Sequence, residues 1–278
     1  LQADILRESA VSWRMKFNMA RNWNRFEKSY SGKDVVDGDG TLLVVGRPLN
    51  GLYVWAHRGY YNSDAEVPRL YKIDGQEIYF NGVATNGISG AVGDYRLLDL
   101  DGDGNPDSYY AGSPLPLAHG GWVNELMWKN FDLNVLVNFT IGRKMINNRM
   151  GLGFSRQSED GHLTKLFDYR KLRPWDGVNK KPNAPAWGNS LSMNTDSAIE
   201  KVHHLALKQI TLGYNLPDRI SKKAGLSGVR FFLTAENLFY LSNYSGGNPE
   251  VVNIYTGRDN GDTYPLPRKY TLGLTLNF

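Results

Sequence analysis

The sequence contains no cysteine, so neither a disulfide framework nor a zinc site with cysteine ligands is possible. It also lacks any run of about eighteen apolar residues, which excludes a membrane-spanning helix. Membrane-spanning strands stay possible, because their lipid-facing side chains occupy only alternate positions. The net charge of +4 comes without a dense Lys/Arg cluster, which argues against a nucleic-acid partner. The first residues, LQADILRESA, show neither an initiator Met nor a signal-peptide pattern, so we expect a mature product or a fragment.

What the sequence does contain favours strands and turns. It has 30 glycines, 16 tyrosines and 7 tryptophans, which are residues of turns and sheets rather than helices. In the final stretch, PRKYTLGLTLNF, apolar residues alternate with small polar ones, which predicts a strand with one apolar face. The apolar positions of this strand are Tyr270, Leu272, Leu274, Leu276 and Phe278. Similar alternation occurs at 13–20, 131–140 and 229–239, and a mixed pattern at 205–214.

The connections between these predicted strands alternate in length. Short turns are expected near 31–40, 128–130 and 215–227, the last with one or two helical turns ending at Gly225. The other connections, including 57–117 and about 240–267, are long and polar. Transmembrane barrels place short turns at one end and long loops at the other, so about eight strands fit this pattern. A soluble sandwich could show the same strand alternation with its apolar face in a core.

Five segments, in order, resemble one family. They are 44–68 with VVGRPLNGLYVW, 93–107 with GDYRLLDLDGDGNPD, 124–148 with NELMWKNFDLNVLVNFTIGRK, 205–251 with LALKQITLGYNLPDRI, and 264–278 with YPLPRKYTLGLTLNF. This text is similar to the SusC/RagA-type TonB-dependent outer-membrane transporters of Bacteroidetes. One departure is VHHLALKQ before ITLGY, where the family usually has a Ser-Phe-Leu-Arg-Leu-like start. The inward-facing residues of that strand are therefore in doubt.

The resemblance implies an all-β fold: an antiparallel transmembrane β-barrel with long extracellular loops and short periplasmic turns. Residues 1–278 would supply about eight or nine C-terminal strands of a barrel of about twenty-two strands. The plug domain and TonB box would lie outside this chain. The family takes up oligosaccharides or peptides through the outer membrane, with energy from the TonB complex and a SusD-like surface lipoprotein as a lid. The alternating final strand with its terminal Phe278 would be the signal for barrel assembly.

The segment DLDGDGNPD predicts a possible calcium site. Carboxylates two residues apart, followed by a glycine, match the start of an EF-hand-type loop. Position twelve is Tyr110 rather than a bidentate Glu, so the ligand set would be incomplete. The alternative is a solvated turn, which Asp and Gly also favour. The candidate ligands of a structural Ca²⁺ are Asp99, Asp101, Asp103, Asn105 and Asp107.

Two further sets of residues are candidates for ligand contact. Polar residues on the predicted strands would line the lumen or contact the plug. Alternatively, they would only form hydrogen bonds between strands and contact water at the barrel wall. These residues are Asn134, Asn138, Arg230 and Glu236. Aromatic residues in the predicted outer loops would stack on sugars or peptides, or only hold the loops together; they are Trp175, Trp187, Tyr244 and Tyr255. The five histidines show no metal-ligand spacing, and nucleophile and phosphate-loop motifs are missing. We therefore do not expect an enzyme.

A second function stays open from the sequence alone. The chain could be a secreted, calcium-stabilised β-rich module that binds glycans for adhesion. In that case the apolar strand faces would form a soluble core rather than contact lipid. Fold-level analogy does not transfer a substrate, so the choice between glycan and peptide also stays open.

Overall fold

A computed structural model describes residues 1–7, 10–36, 42–67, 69–71, 77–79, 81–82, 88–89, 92–100, 102, 108–148, 173–178, 181–186, 195–261 and 263–278. The strands in these ranges are β1 (Gln2–Leu6), β2 (Val11–Ala20), β3 (Val35–Val36), β4 (Leu42–Leu43), β5 (Leu52–Trp55), β6 (His57–Tyr60), β7 (Arg69–Tyr71), β8 (Glu77–Tyr79), β9 (Asn81–Gly82), β10 (Ile88–Ser89), β11 (Tyr95–Leu97), β12 (Ser108–Gly112), β13 (Ala118–Trp128), β14 (Phe131–Asn147), β15 (Ile199–Asn215), β16 (Gly228–Ser242), β17 (Arg258–Asp259) and β18 (Lys269–Asn277). One α-helix, α1 (Asp218–Lys223), and three 3₁₀ turns (Asp64–Glu66, Asp196–Ala198, Pro249–Val251) complete the described elements. None of the described helices is long and apolar enough to cross a membrane.

Within the described ranges, the main sheet has eight strands. Seven follow one another as antiparallel neighbours in the order β1-β2-β13-β14-β15-β16-β18, and the two-residue β17 pairs in parallel with β14. The ten smaller strands form five two-stranded sheets in the long connections. The prediction of an all-β, antiparallel architecture is therefore confirmed.

The connections divide the main sheet into two ends. At the turn end lie the residues between β1 and β2, the two-residue turn Lys129–Asn130, and the connection between β15 and β16, which contains α1. The predicted helical turns are present in that connection, and Gly225 follows them with φ 74°. The loop end carries the connections after β2, β14 and β16, as the alternation of lengths predicts.

One predicted turn was placed at the wrong end. Residues 31–40 were expected among the short turns, but β2 pairs directly with β13, so the whole connection 21–117 leaves and returns at the loop end. In the described part of this stretch, Asp34 Oδ1 accepts a hydrogen bond of 2.8 Å from the Val45 N–H. The Arg47 guanidinium lies over the Tyr110 ring in the loop layer. The turn that does connect the first two strands lies between Leu6 and Val11.

The register of the sheet separates apolar and polar side chains onto opposite faces. One row of paired positions runs Trp13, Leu126, Leu133, Leu212, Leu233 and Leu272. The next row runs Arg14, Glu125, Asn134, Thr211, Thr234 and Thr271. Directly paired residues share a face, so these rows define an apolar face and a polar face.

The buried core lies at the loop end rather than under the middle of the sheet. One cluster joins β14 to the small β5/β12 sheet through Leu52, Val54, Ala111 and Ile146. A second cluster joins β14 and β15 to the loop after β16 through Met145, Val202, Tyr244 and Val252. Loops therefore pack against both sides of the extended ends of β14 and β15.

Candidate functional site

The four polar residues predicted to face a lumen lie on one face of the sheet. Asn134 and Asn138 are even-numbered positions of β14, and their partners on β15 are Thr211 and Ala206. Arg230 is paired with Thr275, and Glu236 with Lys269. Their common placement on the polar face agrees with the sequence pattern, while contact with a lumen or plug stays a prediction.

Ion pairs between strands cover this polar face. Arg14 Nε lies 2.7 Å from Asp4 Oδ1, and Lys16 Nζ lies 2.6 Å from Glu125 Oε1. At the opposite edge of the sheet, on the same face, Lys269 Nζ lies 3.4 Å from Glu236 Oε2. Charges on this face are therefore partnered within the sheet, as expected of a wall that contacts water.

A fourth ion pair crosses over a whole strand. Arg230 on β16 reaches Asp132 on β14, with Nη2–Oδ2 at 2.5 Å and Nε–Oδ1 at 3.2 Å. The strand between them, β15, has Gly213 directly opposite Asp132. A Cβ on Gly213 would collide with Asp132 Oδ1 and Arg230 Nη2. The glycine thus leaves the space through which the two side chains meet.

The loop between β16 and β18, residues 243–268, folds over the polar face at the loop end. Val202 and His204 share the face of Thr140, and Val202 lies in one buried cluster with Tyr244 and Val252 of the loop. The Arg143 side chain donates to the carbonyl oxygens of Pro249 (3.1 Å), Val252 (2.8 Å) and Asn253 (2.7 Å). We call this segment the 243–268 loop.

A second group of polar residues lies in the loop layer, and the sequence gives no signal for it. His57 Nδ1 contacts Asp196 Oδ1, and the Tyr109 hydroxyl donates to Asp196 Oδ2 at 3.1 Å. The His57 ring meets the edge of Tyr95, and burial raises the pKa of the Tyr95 hydroxyl, which therefore stays a hydrogen-bond donor. These residues are far apart along the chain and follow no recognised spacing, so only the tertiary structure brings them together.

The aromatic residues predicted to contact ligand have different environments. The half-buried Trp175 donates from Nε1 to Asn62 Oδ1 at 3.3 Å, and its ring lies against Gly93. Tyr244 is buried and donates to Asp259 Oδ2 at 2.8 Å. Tyr255 is 70% exposed, and Trp187 lies outside the described residues. Ligand contact by these residues stays a prediction, for which Tyr255 offers the most accessible ring of the three described.

The candidate calcium segment is described only in part. Asp99 Oδ1 accepts a hydrogen bond of 2.6 Å from the Gly102 N–H, which closes a tight turn. Asp101, Asp103, Asn105 and Asp107 lie outside the described residues. Among the residues that are described, no group of three or more His, Asp or Glu side chains is arranged to hold a metal ion. Calcium binding at 99–107 stays a prediction.

The candidate assembly signal occupies the last strand of the main sheet. Its members Tyr270, Leu272, Leu274 and Leu276 are paired with Ala235, Leu233, Phe231 and Val229. All four are exposed on the apolar face, and Phe278 beyond them is 93% exposed. The Ser227 hydroxyl donates to the Phe278 carbonyl at 3.2 Å and holds the end of the strand in place.

Comparison with known proteins gives related sequences and related structures. No family model matches the chain. It is 25% identical over 291 residues to TonB-dependent receptor P3 of Formosa agariphila, covering 96% of this chain and 27% of that protein. It is 27% identical over 280 residues to TonB-dependent receptor SusC of Bacteroides thetaiotaomicron, covering 96% of this chain and 24% of SusC. The chain thus spans about a quarter of the length of these relatives.

Solved structures of transporters share the fold of this chain. The structure of the RagAB peptide transporter superposes with a TM-score of 0.72 at 21% identity, over 100% of this chain and 28% of that one. The RagAB peptide importer in its closed-closed state gives a TM-score of 0.69 at 19% identity. This chain is therefore a relative of the TonB-dependent receptors, SusC among them, and its fold is that of a segment of the RagAB structures.

Proposed function

We propose that this protein is part of an outer-membrane importer that takes up oligosaccharides or peptides by TonB-dependent transport. The observation that carries the proposal is the division of one antiparallel sheet into an exposed apolar face and an ion-paired polar face. Such a sheet fits between lipid on one side and a water-filled lumen on the other. The names of its relatives, which are receptors, agree with the expectation that the chain is not an enzyme.

The exposure of the apolar face supports lipid contact over a soluble core. Leu272 is 81% exposed and Leu241 is 61% exposed, and their neighbours Leu212, Leu233 and Phe239 are exposed as well. A contiguous apolar surface of this kind marks a membrane or a protein partner. In a glycan-binding module with a soluble core, the same side chains would be covered by protein, and the described residues do not cover them.

The partners follow from the same proposal. The 243–268 loop and the small β5/β12 and β6/β11 sheets would form part of the surface on which a SusD-like lipoprotein docks as a lid. The plug and the TonB contact would be supplied by other parts of the same transporter. RagAB is a peptide transporter, so peptides are one substrate class to test beside oligosaccharides.

Purification from native outer membranes tests the proposal. An epitope inserted after the exposed Val178 leaves Phe278 free. We expect the protein to require detergent and to be accompanied by a surface lipoprotein, both of which mass spectrometry and gel filtration report. A species that stays soluble and monomeric without detergent would refute the transporter and favour the adhesion module.

A further inference from the structure

A cavity lies between the 243–268 loop and the polar face. Its volume is about 220 Å³, and its lining comes from β15, β16 and both arms of the loop. The polar lining side chains are Lys208, Asn237, Tyr240, Asn248, Glu250 and Arg268. Because the loop folds over the polar face, a solute moving along that face would meet this cavity.

Among the described residues, the charges around the cavity leave one cation, Arg268, without a partner. Lys208 Nζ lies 3.3 Å from both carboxylate oxygens of Glu250, so these two charges neutralise each other. Arg268 is exposed, and within the described part of the chain it forms no hydrogen bond or ion pair. The cavity therefore presents one net positive charge, on a guanidinium whose five N–H groups match a carboxylate.

The walls of the cavity are held in position before any ligand binds. Arg143, 4% exposed, fixes the 249–253 backbone through its three carbonyl contacts. On the opposite side, Asn237 adopts φ 52° and donates from Nδ2 to the Pro267 carbonyl at 3.2 Å, next to Arg268. Preorganised walls lower the entropic cost of binding.

Neutral hydrogen-bonding groups accompany the free guanidinium. Asn248 Oδ1 accepts from the Glu250 N–H at 2.9 Å, so its Nδ2 remains a donor. The Tyr240 hydroxyl belongs to a half-exposed side chain that lines the same cavity. One cation with neutral donors nearby is the arrangement that selects a single carboxylate.

Building on the proposed import function, we propose that this cavity is a subsite for a carboxylate group of the transported solute, with Arg268 as its charged ligand. The carboxylate belongs either to a peptide or to an acidic sugar. The inference concerns selectivity only, so it can fail while the protein is still a membrane importer.

Calorimetric titration of the detergent-solubilised protein, with whatever subunits accompany it, tests the subsite. One arm compares N-acetylated penta-alanine with its C-terminal amide, and the other compares trigalacturonate with maltotriose. In at least one arm we expect the acid to bind about tenfold more tightly than the neutral probe, as a charge-assisted hydrogen bond provides. Arg268→Gln should remove that preference, while Arg219→Gln, an exposed arginine on α1, should keep it.

The results distinguish the two sources of the carboxylate, and they distinguish failure of the subsite from failure of the import function. Acid preference in the peptide arm identifies peptides, and preference in the sugar arm identifies acidic glycans. Equal binding of acid and neutral probes in both arms, no binding of any probe, or a preference that survives Arg268→Gln would overturn the subsite. Failure of the import function itself would appear separately, as a protein that needs no detergent.

Discussion

At the scale of single residues, the contact between Asp132 and Arg230 depends on a missing side chain. The two residues belong to strands that are not neighbours, and Gly213 on the strand between them leaves the space for their contact. A larger residue at 213 would occupy the position of the carboxylate and guanidinium atoms. The role of this glycine is therefore steric, and it preserves an ion pair on the polar face.

Gly213→Ala should break this ion pair. Because both clashing atoms are the ends of flexible side chains, we expect the strand to persist while the pair separates, at a cost of about 1 kcal/mol. The same substitution in an Asp132→Ala/Arg230→Ala background should cost almost nothing. Urea unfolding of the four variants in detergent measures this difference, and equal costs in both backgrounds would contradict it.

Phe278 is the residue at which the proposed assembly signal can be tested. Phe278→Ala removes an aromatic ring that is almost fully exposed, so folding stability should change little. If the ring is recognised during barrel assembly, the substitution should lower the amount of heat-modifiable, folded protein in the outer membrane severalfold. Tyr264→Ala, which removes an equally exposed ring from the 243–268 loop, is the matched control and should leave that amount unchanged.

The sequence alone was sufficient to predict the placement of residues whose face is set by strand periodicity. Asn134, Asn138, Arg230 and Glu236 were assigned to one face because alternate residues of a strand share a face. It was insufficient for His57 and Asp196, whose contact depends on how two long connections fold together. Nor did it reveal the role of Arg143, because the sequence does not show that this strand residue contacts the 243–268 loop.

At the scale of elements, the 243–268 loop is fixed to the sheet at two places: β17 pairs with β14, and the buried Arg143 holds the 249–253 segment. Arg143 satisfies three carbonyl oxygens that belong to no regular strand or long helix. The Asn253 carbonyl also accepts a backbone hydrogen bond from the Gly257 N–H at 2.9 Å. Because unpaired buried carbonyl groups are costly, the guanidinium stabilises the loop chiefly at Pro249 and Val252. The position of the cavity wall at 248–250 follows from these contacts.

Arg143→Met should release this loop without unfolding the sheet. Methionine keeps much of the volume but none of the donors, so local opening of 249–253 should become easier by about 3 kcal/mol. Hydrogen exchange at the amides of residues 250–253 should accelerate by roughly a hundredfold, while exchange in the middle of β14 stays unchanged. Arg219→Met on the exposed face of α1 should leave both unchanged, and protection at 250–253 that survives Arg143→Met would argue against the anchoring role.

The positions of strands were easier to predict than the ends at which connections lie. The alternating segments at 13–20, 131–140 and 270–278 lie in β2, β14 and β18. The turn at 31–40 was misplaced because the alternation of connection lengths does not show which strands pair, and β2 pairs directly with β13. The described strands between them, such as β3/β4 and β5/β12, form two-stranded sheets outside the main sheet.

At the scale of the whole molecule, the proposed importer requires that the two faces of the sheet meet different solvents. Leu272 and Thr271 are adjacent on β18, both are exposed, and they point to opposite faces. In water, substitution by arginine at either exposed position would hardly change the free energy of unfolding. In a bilayer, only the apolar face would lie in hydrocarbon, so the pair reports directly on the environment of each face.

Leu272→Arg should therefore destabilise the membrane-inserted protein by about 2–4 kcal/mol, the cost of a cation near the bilayer midplane. Thr271→Arg should cost less than about 0.5 kcal/mol, because it adds a cation to a wet face that already carries Glu236 nearby. Reversible unfolding in lipid vesicles gives both values. The high exposure of Leu272 makes the comparison decisive: a soluble protein would tolerate both substitutions equally, whereas a large cost confined to Leu272→Arg requires lipid against the apolar face.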